Sequence, residues 1–229
     1  MDVSEVLKRI QIPPARSYIS IRPEEGSFLH DFVRKNHLNR TLEVGLAFGM
    51  SACCIMSAHE GIHTALDPYQ AKNYDNLGLK NLESLGYRDR LDFHTVSSQI
   101  LLPRFVEEKR TFDLAFIDGD HRYDSVFVDF FFADMLLQDK GYVLFHDAWM
   151  RGIRLTASFI KRNRTNYRRL PCPRRNMILF QKNGQDDRPW HHFREFYTWR
   201  SVLSHSLILL LHRREQQNAK ADSEGPRRS

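Results

Sequence analysis

The chain predicts a doubly wound α/β fold, and three observations carry that prediction. Short apolar runs alternate with amphipathic stretches from about residue 41 to residue 145. Several of these runs stop abruptly in glycine or acid, as strands buried on both faces do at the edge of an open parallel sheet. Two of them, Phe112-Asp-Leu-Ala-Phe-Ile-Asp118 and Gly141-Tyr-Val-Leu-Phe-His-Asp147, are separated by enough chain for a crossover helix. A strand–helix–strand unit is right-handed and leaves its strands parallel, so both acid-bearing ends fall on one edge.

The elements follow in order. Residues 1–39 form an N-terminal helical extension, polar and proline-containing up to 23 and then amphipathic over 24–35, where Phe28, Phe32 and Val33 share a face. Strand 41–44 leads into a helix over 50–59. Strand 62–66 ends at Asp67-Pro68, and residues 76–85 are helical up to Gly86. Strand 91–96 precedes helix 99–108, strand 112–117 precedes helix 126–137, and strand 142–145 closes the alternation. A helix near 155–162 is followed by apolar runs at 167–170 and 177–181, too close for a crossover and therefore an antiparallel pair at the sheet edge. The sum is a seven-stranded, mostly parallel sheet with an antiparallel last strand, in a domain over 40–184.

Phe127, Phe130, Phe131 and Phe132 have near-helical spacing and are expected to pack on that sheet. Within an extension over 185–212, Trp190, Phe193, Phe196, Tyr197 and Trp199 predict a helix lying on the core. The run at 207–211 predicts a partner surface, such as a homo-oligomer contact. Residues 213–229 have the composition of a disordered basic tail.

Composition narrows the function. With 41% hydrophobic and 27% charged residues this is ordinary globular chemistry. Residues 1–10 carry Asp2 and Glu5 where a signal peptide would be apolar, and no run approaches the roughly 18–20 residues of a membrane span. Three cysteines make no disulfide framework and are expected to be reduced, in a cytoplasmic protein. The net charge of +6 is uneven: residues 151–175 hold nine Lys or Arg and no acid. Such a surface is either a solvated face or a dock for an acidic or phosphorylated substrate or nucleic acid. No stacking surface or recognition motif accompanies it, which argues against nucleic acid.

Gly45 and Gly49 close the first strand and open the first helix, in Thr41-Leu-Glu-Val-Gly-Leu-Ala-Phe-Gly-Met-Ser51. Glycine lets the backbone turn and lets a ligand approach, and the free amides of the helix start point at what binds there. A nicotinamide fingerprint needs glycine where this chain has Ala47 and Met50, which counts against a dinucleotide.

The segment Glu43-x-Gly45-x-x-x-Gly49 resembles the first motif of class I S-adenosylmethionine-dependent methyltransferases, whose fold is Rossmann-like. Within them, Leu-Glu-Val-Gly, Phe-Ile-Asp-Gly-Asp-His and Phe-His-Asp resemble the bacterial branch found with sugar and natural-product O-methyltransferases. The resemblance spans about residues 40–182. It implies a cofactor site of Glu43, Gly45, Gly49, Ser51, Asp67, Ser97, Ser98 and Asp118. In that site Asp67 accepts hydrogen bonds from both ribose hydroxyls, and Ser97 stands where the family has an acid facing adenine. It further implies a divalent ion, Mg²⁺ or Mn²⁺, held by Asp118, His146 and Asp147 at the ends of strands four and five. Asp120 and His121 are the candidate general bases. Asp120 matches the base position of similar sugar O-methyltransferases, whereas His121 has the more suitable unperturbed pKa.

The function expected is methylation of a small hydroxylated acceptor: a sugar, a glycosylated natural product or a phenol. Two alternatives remain at this stage. One is a nucleic-acid methyltransferase using residues 151–175, although the Asn/Asp-Pro-Pro-Tyr/Phe segment of base-amino methylation is absent. The other is a non-catalytic protein that keeps the fold.

Overall fold

The N-terminal extension is ordered before the sheet begins. Helix α1 (Val3–Arg9) starts at Asp2, whose carboxylate accepts the Ser4 amide at 2.7 Å, and it buries Val6 completely. Pro14–Ile19 makes a 3₁₀ turn, and α2 (Pro23–Lys35) buries Leu29 and Val33 on the face that also buries Glu25. The alternation then runs β1 (Arg40–Val44), α3 (Met50–Met56), β2 (Ile62–Leu66), α4 (Gln70–Tyr74), α5 (Leu77–Ser84), β3 (Leu91–His94) and α6 (Ser98–Glu107). It continues with β4 (Phe112–Ile117), α7 (Tyr123–Leu136), β5 (Leu137–Phe145), α8 (Arg151–Asn163), β6 (Tyr167–Leu170), β7 (Ile178–Lys182) and α9 (Trp199–Glu224). This computed structural model describes residues 2–224.

The seven strands form one sheet in the order β3-β2-β1-β4-β5-β7-β6. The pairs β3–β2, β2–β1, β1–β4 and β4–β5 are parallel, and β7 runs antiparallel to both of its neighbours. The chain reverses its direction of travel across the sheet between β1 and β4, which makes their carboxyl ends the crevice where ligands bind in such folds. Side chains alternate across the strands. Ala115, Ile117, Val143 and Phe145 face the side covered by α6, α7 and α8, while Leu114, Phe116 and Leu144 face the side covered by α2 and α3.

Three aromatic expectations are corrected. Of the phenylalanines on α7, Phe130 is buried against the sheet, but Phe131 points to solvent at 51% exposure. No helix forms over 185–198, and Trp190 is 97% exposed. That segment instead crosses α8 as a strap: Asn163 donates to the Arg194 carbonyl at 2.9 Å and accepts the Arg194 amide at 2.7 Å. The backbone is satisfied by a side chain and has no need of a helix there. The C-terminal helix begins at Trp199 and runs past residue 212 to Glu224. The remainder of the anticipated tail, 225–229, lies outside the described residues.

Cys53, Cys54 and Cys172 are free thiols. Among the described residues no helix is long and apolar enough to cross a membrane. Helix α7 also buries an acid that the sequence pattern does not single out. Asp129 is 1% exposed, and its Oδ1 has no hydrogen-bond partner among the described residues. Burial raises its pKa to about 6, opposed in part by a hydrogen bond from Ser98.

Two stability predictions follow from these positions. Gly45 has φ +93°, and a Cβ there would run into the Asp118 carbonyl and lie 2.8 Å from the Gly119 Cα. Gly86 has a similar φ of +76° but nothing within 4 Å of an added Cβ. Gly86→Ala should therefore cost about 1–2 kcal/mol, the left-handed penalty alone, and Gly45→Ala at least twice as much. Urea unfolding midpoints check the ranking, and equal losses would contradict it. For Asp129, the folded protein holds a proton between the ordinary carboxylate value of 3.8 and about 6 that the unfolded chain has released. Stability therefore falls as pH rises through that window, by roughly 3 kcal/mol in full. Asp129→Asn should match the parent protein near pH 4 and exceed it at pH 7.5; a parent no weaker than the variant at pH 7.5 refutes the assignment.

Candidate functional site

Register builds the site. Val44 pairs with Leu66 and Ile117, and Ile117 pairs with Phe145, so the next residues form one row along the carboxyl edge: Asp67, Gly45, Asp118 and His146. Backbone bonds extend the ladder into that row, from the Gly45 amide to Leu66 at 2.9 Å, from Asp118 to Val44 at 2.9 Å and from His146 to Ile117 at 3.1 Å. The loop after Gly45 places Ala47 at φ +45°, and the turn after β5 places Asp147 at φ +48°. Both are non-glycine residues in the left-handed region, a cost that clusters at ligand-binding turns.

A cleft of about 330 Å³ lies along this row, and its wall includes Gly45, Asp67, Ser97, Ser98 and Asp118. Tyr69 and Tyr74 complete it from the turn and short helix that follow β2. Asp67 fastens the cleft's floor: its Oδ2 accepts the amides of Leu46 at 3.3 Å and Ala47 at 3.0 Å, and its Oδ1 accepts the Tyr69 amide at 2.8 Å. Three expected cofactor residues do not reach the cleft. Glu43 is fully buried and takes hydrogen bonds from the Ser51 hydroxyl and from His63 Nε2 at 2.8 Å. Burial raises the Glu43 pKa, against the pull of His63. Gly49 turns the chain into α3 at φ +74° and abuts Gly78. Glu43 and Gly49 hold the loop from beneath, whereas Ser51 also lines a pocket beside the cleft.

A smaller pocket of about 100 Å³ adjoins the cleft and shares Gly45, Ala47, Tyr74, Asp118 and Gly119 with it. Its wall adds His121 and Asp147, and Ile19–Ile21 of the N-terminal extension closes one side. His121 Nε2 lies 3.4 Å from an oxygen of Asp118 and 3.4 Å from an oxygen of Asp147. One ligand atom from each of these three residues lies within 4.8 Å of the others, a donor set of two oxygens and one nitrogen that could hold a metal ion.

His146 sits behind this cluster. It is 5% exposed, with Nδ1 3.1 Å from Asp118 and Nε2 3.2 Å from Glu25. Burial opposes its charge, but Asp118 and Glu25 outweigh burial and raise its pKa well above the ordinary value. The two carboxylates favour the charged imidazole, whose Nδ1 orients Asp118 from beneath the pocket, and Asn176 Nδ2 also lies 3.2 Å from its Nε2. Burial likewise opposes the Asp118 charge, and His146 and His121 outweigh it and lower the Asp118 pKa. His121 is raised, since the two carboxylates overcome its burial. Asp147 Oδ1 accepts Trp149 Nε1 at 3.0 Å and Asn176 Nδ2 at 3.1 Å, which leaves Oδ2 toward His121.

Asp120 is separated from the cluster. It lines the cleft's outer rim, where Arg122 and Ser125 bond its carboxylate, and the Arg122 bonds bring its pKa down to about 2. So weak a base suits a turn anchor better than proton abstraction. Glu25 is the site residue that sequence reasoning missed. Its only sequence signal is an acid on the inner face of α2, which it shares with Leu29, His30 and Val33.

Comparison with known proteins matches this geometry. Residues 42–148 fit a family described as "Methyltransferase domain". Caffeoyl-CoA O-methyltransferase 1 of Eucalyptus globulus is 29% identical over 101 residues, covering 42% of this chain and 40% of that protein. Tricin synthase 2 of Oryza sativa subsp. japonica is 29% identical over 108 residues, covering 45% and 36%. The chain thus aligns with about two-fifths of the curated relatives it matches. Among solved structures, an O-methyltransferase from Bacillus cereus in complex with SAH superposes with TM-score 0.65 at 18% identity, covering 79% of this chain and 90% of that one. The O-methyltransferase TomG from Streptomyces achromogenes, in complex with SAM, gives TM-score 0.65 at 16% identity over 80% and 89%. The strand order, the glycine turn and the acid-bearing edge agree with that match: residues 42–148 resemble a methyltransferase domain, on a sheet of the class I methyltransferase fold.

Proposed function

We propose that this protein transfers a methyl group from S-adenosylmethionine to a hydroxyl of a small acceptor, with Asp118, His121 and Asp147 at the reacting edge. The observation that carries the reading is the shared wall of the two cavities: a donor in the cleft and an acceptor in the smaller pocket would be neighbours across Gly45, Ala47 and Asp118. Methyl transfer is an in-line displacement, and holding two reactants in line lowers the barrier by several kcal/mol (roughly 7–11 at best). The relatives named above act, by their names, on caffeoyl-CoA or in tricin synthesis. That supports a phenol as acceptor, with a sugar or glycosylated product as the other hydroxyl-bearing classes.

Asp118, His121 and Asp147 fit a divalent ion, and the imidazole shifts preference from Mg²⁺ toward Mn²⁺, Fe²⁺ or Zn²⁺. Bound there, an ion would supply Lewis acidity to an acceptor hydroxyl. A second reading follows from the His121 geometry. Flanked by two carboxylates, His121 is a stronger base than an ordinary imidazole, and it lines the pocket where a hydroxyl proton would leave. A nitrogen that holds an ion cannot take that proton, so chelation separates the two readings. Three free thiols suit a cytoplasmic setting. Exposed Leu203, Leu207 and Leu210 on α9 suit a homo-oligomer contact.

Labelled S-adenosylmethionine offered with phenolic and sugar acceptors, with and without chelator, tests the reaction directly. Asp118→Asn and Asp147→Asn should each abolish Mn²⁺ binding in calorimetry and most turnover, and Asp147→Asn, outside the cleft wall, should leave cofactor affinity little changed. Asp120→Asn should leave turnover within a few-fold of the parent; a loss of the 10²–10⁴-fold expected for a missing general base would restore Asp120 to that role. Asp67→Ala removes an acceptor at the cleft and frees the amides of Leu46 and Ala47. Its affinity for S-adenosylmethionine should drop about ten- to a hundredfold, and unchanged calorimetric affinity would sink the ribose assignment.

A further inference from the structure

A cavity of about 530 Å³ opens between α8 and the start of α9, away from the cofactor cleft. Its wall carries Arg151, Arg154, Lys161, Arg162, Arg169 and Arg200, and no Asp or Glu. None of these six cations forms an ion pair among the described residues. The hydrogen bonds of Arg154 and Arg162 go to neutral groups: Arg154 to the Ser204 hydroxyl at 2.9 Å, and Arg162 to the Glu195 carbonyl at 3.3 Å.

His205 projects from α9 into the same wall. It is 8% exposed, and its Nδ1 has no hydrogen-bond partner among the described residues. Burial and the charges of Arg151 and Arg154 push its pKa down, and burial with the charge of Arg169 does the same to Arg154. Burial is the larger cause of both shifts and neighbouring positive charge the smaller, and no carboxylate among the described residues pairs with these cations. A merely solvated basic face would spread its cations over open surface. Here they line a concavity around an unpartnered buried imidazole, the arrangement that recognises a polyanion.

The cavity also leads somewhere. A second cavity of about 470 Å³ shares Arg151, Leu155 and His205 with it, and shares His121 with the pocket at the reacting edge. We propose that the basic groove binds a phosphate or diphosphate group, and that the acceptor whose hydroxyl reaches Asp118, His121 and Asp147 carries that group. The second half rests on the methyltransferase reading, and the anion site itself does not.

Calorimetry of the metal-free protein with inorganic pyrophosphate, at constant ionic strength, tests the groove. The parent should bind, and R154Q/R169Q should bind about a hundredfold more weakly, near tenfold for each charged partner lost. Lys161→Gln, an exposed position, gives a single-site check should the double variant misfold. S-adenosylmethionine affinity should be the same in all of them. Absent pyrophosphate binding by the parent, or equal binding by parent and variants, overturns the site. Tighter binding of a random RNA oligomer than of pyrophosphate, lost in the same variants, assigns the groove to nucleic acid and overturns the acceptor claim. Pyrophosphate binding without S-adenosylmethionine binding supports the groove while the methyltransferase reading falls. In the methyl-transfer assay, a phosphorylated acceptor should have a KM at least tenfold below that of its unphosphorylated counterpart in the parent, and that advantage should vanish in R154Q/R169Q.

Discussion

Three buried or half-buried carboxylates, Glu25, Asp118 and Asp147, share two imidazoles at the carboxyl edge of the sheet, and the working face of the protein is arranged around that sharing. Like charges this close in a partly desolvated crevice repel one another, and each would be driven to hold a proton. His146, held between Glu25 and Asp118 with its charged form favoured by both, relieves that pressure from below. It also joins the N-terminal extension to the edge, because Glu25 belongs to α2 while Asp118 and His146 end neighbouring strands. Losing one partner of such a pair leaves an uncompensated buried charge, typically about 3–5 kcal/mol. The extension is therefore part of the site, and Ile19–Ile21 lines the pocket beside it.

The same arrangement divides labour among residues that look equivalent. Asp118 and Asp147 face His121 in the pocket, whereas Asp120, two residues from Asp118, is drawn outward by Arg122. Glu43 and Asp67, both at strand ends, serve the loop over Gly45 from opposite sides: Glu43 from within the core, through Ser51 and His63, and Asp67 from the cleft wall, through the Leu46 and Ala47 amides. Beyond the acidic edge lies a basic groove, so an anionic molecule with one hydroxyl would meet complementary fields at its two ends.

Much of this was legible in the sequence. Four of the five parallel strands stood out as apolar runs ending in Val44-Gly45, Leu66-Asp67, Ile117-Asp118 and Phe145-His146, and the close pair at the end predicted the antiparallel edge. Hydrophobic period and turn signals located the strand ends, and the methyltransferase resemblance implied that Gly45, Asp67, Ser97, Ser98 and Asp118 at those ends form one group, as the cleft lining has them. The aromatic segment 190–199 misled because its spacing suits a helix, while the Asn163–Arg194 bonds hold its backbone extended. Phe131 misled because a helix with apolar residues on every side does not announce which one meets the sheet.

What the sequence by itself determined is the topology and the row of strand ends, since both follow from local periodicity and the handedness of crossovers. Tertiary structure decided which acids and imidazoles face the pocket. His146 Nδ1 lies 3.6 Å from Asp147 and 3.1 Å from Asp118, while Glu25, more than a hundred residues away along the chain, meets its other nitrogen, so His121 is the imidazole that lines the pocket. The cavity between α8 and α9 was likewise invisible as a cavity: residues 151–175 show their charge in one dimension, but only packing of the C-terminal helix encloses it and brings in His205. Charge partners separated by long stretches of chain are chosen by distance and burial after folding, and local sequence patterns carry no record of either.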